Sequence, residues 1–217
     1  MRLVSKNIES YNNDNLIELA QYSEAPKVSR DINVKNVKDR DRVIKHIETL
    51  IRSSIEYKDY IKFLKTFMNK DTFFQNVEQT GYNKVKIELH HSPLTLYDIV
   101  TIVLTKHEDL YGKINLFNIA EEVMKLHYQC RVGLAPLSKT THKLVHDGKV
   151  FVTVKMVRGD WVSFYKEYLD YFPQDMIEKL KRIIQFSKEV QDVSLLETKY
   201  TYIKVDGFKQ IQLLNEK

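Results

Sequence analysis

Residues 83–91 read NKVKIELHH, and residues 137–146 read LSKTTHKLVH. In the first stretch Val85, Ile87 and Leu89 alternate with Lys84, Lys86, Glu88 and His90, the period-two mark of a half-buried strand that Gly81 opens and Pro93 ends. In the second, a helix is predicted from about Lys139, and it places His142 and His146 on one face because residues four apart are neighbours there. Between them RVGLAPLS, residues 131–138, reads as a short second strand. These two segments hold four of the seven histidines. Imidazole is the commonest protein ligand for transition metals and titrates near neutrality, so the clustering points to a metal and a base. Adjacent residues of a strand project to opposite sides, so His90 and His91 cannot both ligate one metal without distorting the strand. One of them is expected to join His142 and His146 in a three-histidine site with an open position, while the other works beside it.

The rest of the chain frames this unit. After a polar, Asn-rich segment over residues 1–37, Val43, Ile44, Ile47, Leu50, Ile51 and Ile55 recur at helical spacing, and Tyr60, Ile61, Leu64, Phe67 and Met68 repeat the pattern. This predicts a helical region over 38–80. Residues 95–107 and 118–128 read as two helices joined by a loop around Gly112. After Asp147-Gly148, KVFVTVKMV (149–157) reads as another strand. Residues 161–172 and 174–190 read as helices separated by Pro173, and alternating runs around Asp206-Gly207 as a hairpin. The expected class is α+β, with a core over 81–160 that contains a helical insertion and a C-terminal region over 161–217.

IELHHSP followed by VGLAPLSKTTHKLVH resembles the HNH, or ββα-metal, nucleases: a strand ending in His-His, a second strand, and a helix with a His-x-x-x-His pair. The resemblance covers about a quarter of the chain. It implies a ββα-metal core in which His90, His142 and His146 are metal ligands and His91 is the general base that activates water for phosphodiester hydrolysis in DNA. It departs from the family at the middle Asn, which would fall near Gly133, and in the length of the helical stretch between the strands. Under this reading an Asn introduced at 133 is expected to be neutral or mildly activating. The alternatives are an inactive nucleic-acid-binding protein that keeps a structural zinc centre, and a protein-interaction module without metal.

Three imidazoles form a borderline-soft ligand set, so Zn, Ni or Mn is expected ahead of Mg. Lys84, Lys86, Lys139 and Lys143 flank the histidines and are placed to meet the phosphates of DNA, or of RNA. The formal charge of +5 leans the same way. Glu88 lies on the strand face of His90 and could orient it. His127 could approach the site or bond a backbone carbonyl, and Cys130, without a CxxC partner, is expected to be a buried apolar residue. The opening MRLVSKNIESYNNDNL lacks the apolar run of a signal peptide. No stretch is long and apolar enough for a membrane span, and a Lys-, Asn-, Ile- and Tyr-rich composition suits a bacterial virus. The expected location is the host cytoplasm.

Overall fold

The computed structural model describes residues 36–112 and 114–189. The polar N-terminal residues 1–35 and the hairpin expected around Asp206-Gly207 lie outside the described residues. The chain enters through a helical pair, α1 (Val37–Ser53) and α2 (Ile55–Leu64). The Asn36 side chain accepts from the Lys38 N–H at 3.0 Å, meeting one of the donors a helix start leaves unpaired. Ser54 ends α1 and caps α2, its Oγ accepting from the Tyr57 N–H at 3.1 Å. The buried face of α1 is Val43, Ile44, Ile47 and Ile51, spaced as the sequence predicts.

That face packs on α3 (Leu96–Tyr111) and α4 (Leu116–Tyr128). A capping box starts α3, with Thr95 Oγ1 accepting from the Asp98 N–H and the Asp98 carboxylate from the Thr95 N–H. Gly112 ends it at φ 63°, a left-handed turn that glycine adopts without steric cost. Ile99, Val100, Ile102, Val103 and Leu104 are all buried, as are Asp98 and Thr101 between them, so the first half of α3 is enclosed on every side. Glu122 of α4 accepts from Lys106 Nζ at 2.7 Å, from the Tyr168 hydroxyl at 2.6 Å, and lies 2.7 Å from His107 Nε2. One carboxylate thereby joins α3 and α4 to α6 (Trp161–Tyr168). The last described helix, α7 (Gln174–Glu189), is tied back through Lys179 to Asp98 at 3.0 Å.

The sheet has two antiparallel strands, β1 (Ile87–His91) and β2 (Leu134–Ser138), paired from Ile87 opposite Ser138 to His91 opposite Leu134. Its two faces meet different cores. Leu89 and Leu134 join the large helical core, whereas Ala135 and Leu137 join a small cluster with Phe73, Val152 and Met156. A short helix, α5 (Lys139–His146), follows β2 directly and adds Val145 to that small cluster. The class is therefore α+β, as expected. The strand expected over 149–157 is not formed: its alternating Val152 and Met156 reach the small cluster from an irregular segment with one 3-10 turn at Val154–Met156. Its nearest approach to pairing is the single bridge from Arg158 to Leu134. Apolar alternation was satisfied by packing, with no strand partner required.

Gly133 also departs from expectation. The Ser92 N–H donates to the Gly133 carbonyl at 3.1 Å, and a β-carbon at Gly133 would overlap the Ser92 carbonyl oxygen and come within 2.8 Å of Val157 Cγ1. Glycine is required here for the close approach of two backbones, not as a degenerate loop anchor. Gly133→Asn, expected from sequence to be neutral or mildly activating, should instead destabilise the fold by about 3 kcal/mol, as overpacking of a rigid site does. Urea unfolding of the two proteins checks this, and an unchanged midpoint would refute it.

Candidate metal centre

Three local rules bring the histidines together. Pleating of β1 sends Glu88 and His90 to the face shared with Ala135 and Leu137, and sends Ile87 and His91 to the other. Ser138, the last residue of β2, caps α5 by accepting from the Thr141 N–H at 3.2 Å, so the helix starts where the strand stops. Asp71 fixes this junction. It is fully buried, with Oδ2 accepting from the Ser138 N–H at 2.5 Å and Oδ1 from the N–H groups of Phe73 and Phe74 at 2.8 and 3.0 Å. Thr72 adds two bonds to the Pro136 carbonyl, from its N–H and its hydroxyl, each at 2.8 Å. The sequence reading missed Asp71, although an Asp followed by Thr-Phe-Phe is the kind of residue that bonds backbone N–H groups two and three positions on.

With α5 so placed, His142 Nε2 lies 3.1 Å from His90 Nδ1, and His146 Nε2 lies 3.0 Å from His142 Nε2. One nitrogen from each ring falls within 4.8 Å of the others. Glu88 faces His142, not His90 as the sequence suggested: its Oε2 is 2.5 Å from His142 Nδ1. That contact keeps the proton on Nδ1 and leaves the Nε2 lone pair turned toward the other two rings. A single lone pair cannot accept well from two neighbours at once. A divalent cation among the rings would take one lone pair from each, and tetrahedral ligands at about 2.0–2.1 Å from zinc stand roughly 3.3 Å apart, against 3.1 and 3.0 Å for the two nitrogen pairs that include His142. Burial, reinforced by His142 and His146, lowers the pKa of His90 to about 4, which favours the neutral form that ligates.

His91 is elsewhere. Its ring enters the helical body, 7% exposed, with Nε2 3.1 Å from Nε2 of the fully buried His127. His127 Nδ1 donates to the Val123 carbonyl at 2.7 Å, so its Nε2 accepts and His91 Nε2 donates. The rings of Tyr57 and Tyr60 meet His127 edge-on at 5.6 and 5.7 Å. Of the two readings open for His127, the backbone-bonded one is observed. Cys130, expected to be buried, is exposed, with φ 55° at the turn after α4. Lys84, Lys86, Lys139 and Lys143 are all exposed, just before β1 and on α5.

The profile of one protein family, described as bacteriophage G278-like virion protein, matches residues 2–215. The chain belongs to that family. No curated protein and no solved structure matches it. Membership in a family of virion proteins overturns the HNH nuclease assignment and DNA hydrolysis, and lends no support to the inactive nucleic-acid-binding alternative. The base role assigned to His91 lapses with the nuclease, and its nitrogen is in any case engaged with His127 inside the core. The viral origin suggested by composition agrees with the family. Among the described residues no helix is long and apolar enough to cross a membrane.

The buried pair sets a pH dependence. Burial holds His91 well below its ordinary value of 6.5 and lowers His127 to about 4. Between about pH 6.5 and 4 the unfolded chain therefore binds protons that the folded chain refuses, so stability is undiminished above that window and falls as pH drops through it. In metal-free buffer, replacing His91 and His127 together with Leu should flatten this acid loss, measured as the denaturant midpoint against pH. An equally steep profile would show that the pair does not carry it.

Proposed function

We propose that the chain is a structural component of the phage particle, and that its three-histidine centre holds a divalent transition metal that fastens α5 to β1. Family membership supports the first part, and the convergence of His90, His142 and His146 supports the second. Zinc suits the centre best, followed by nickel or manganese, since imidazole nitrogens attract these ions more than magnesium. When bound, the ion supplies a cross-link between a strand and a helix eight residues long. His90 anchors it from the sheet. His142 and His146 hold it from the helix, and Glu88 keeps His142 in the ligating tautomer.

An ion that binds the folded chain alone stabilises it by about 2.7 kcal/mol at a concentration a hundredfold above its Kd. Protein purified without an affinity tag should therefore carry near-stoichiometric metal by elemental analysis and melt at a lower temperature after chelation. His142→Ala with His146→Ala should abolish both effects. Retention of metal by that double variant would sink the proposal.

A further inference from the structure

Among the described residues the three-histidine centre lacks the fourth ligand of a closed structural site. Such zinc sites are four-coordinate, and three protein ligands leave one position for a ligand from outside. Among the described residues no fourth His, Cys, Asp or Glu joins the group. Glu88 is engaged on Nδ1 of His142, the side of the ring away from Nε2. Asp147 follows His146 directly yet stands outside the group, with its carboxylate 3.9 Å from Lys149.

His146 is exposed while His90 and His142 are half-buried, so the group can be reached from the surface. Charge then selects what can approach. Lys84 and Lys86 lead into β1, Lys139 and Lys143 project from α5, and all four are exposed. Together with a divalent ion they outweigh Glu88 and Asp147 on the same elements, so the face attracts an anionic group and repels a second copy of itself. A virion protein works among other polypeptides packed against it, and the anionic groups they present are carboxylates.

We propose that an Asp or Glu side chain on the acidic surface of a neighbouring polypeptide in the particle fills the fourth position, so that the metal joins this chain to its partner. The inference rests on the metal reading above. It assigns the lysines to the partner's acidic surface and makes the centre an assembly contact.

The full-length chain loaded with cobalt(II) tests both layers, because the visible bands of tetrahedral cobalt respond to each ligand. Acetate and poly-L-glutamate should both shift the bands, and polyglutamate should do so at about tenfold lower carboxylate concentration, since the lysines add their attraction to the metal's. Replacing Lys84, Lys86, Lys139 and Lys143 together with Ala should remove that advantage while leaving the acetate response intact. Cobalt bound at one equivalent with bands that neither carboxylate moves would overturn the partner ligand and leave the metal centre standing. Bands moved by inorganic phosphate or an oligonucleotide at lower concentration than by polyglutamate would overturn the carboxylate class. Failure of cobalt to bind at all would overturn the metal reading, and this inference with it.

Discussion

The alternation of β1 is the constraint on which the rest of the molecule depends. Because successive side chains of a strand leave on opposite faces, a His-His pair at its end is divided between two environments. His91 goes into the helical body, where burial and the carbonyl-bonded His127 hold it neutral. His90 goes to the face covered by α5, where two more imidazoles meet it. A one-residue slip of register would turn Glu88 and His90 into the helical body and Ile87 and Leu89 toward α5, undoing both environments at once. The backbone contact of Gly133 with Ser92, at the end of the same pairing, guards against such a slip.

Much of the fold was legible because it is written in local periodicity. The face of α1, both strands, the Lys139 helix and the glycine at the end of α3 all follow from spacing and capping rules that act over a few residues. Residues 149–157 misled because alternation reports which side chains are buried, not whether a neighbouring strand exists to pair with. The Asp71 bond to Ser138, the Glu122 hub and the His91–His127 contact were not legible. Each joins groups from 15 to 67 positions apart in sequence, and no spacing rule reaches that far.

The convergence of His90, His142 and His146 was anticipated, but the hydrolysis assigned to it is overturned by the virion family. Two strands followed by a helix bring a strand-end histidine and an i, i+4 pair together through backbone geometry alone, whatever the protein does. Hydrolysis needs more than this: a base beside the metal and a surface that accepts the substrate. The structure puts the second histidine on the wrong side of the sheet to serve as that base. Function lives in such details of a site more than in its motif.

The shortness of α5 has a dynamic consequence. Eight residues are too few to sustain a helix in water, and Thr141 is its one buried residue. Its order is lent to it by Ser138, Asp71 and whatever the imidazoles hold. In the vocabulary of hydrogen exchange, α5, with one buried residue, should show shallow protection and α3, with nine, deep protection, as expected if the segment opens without the body. A metal or a neighbour that grips the imidazoles would close that local equilibrium, turning a short helix with one buried residue into a fixed part of the body.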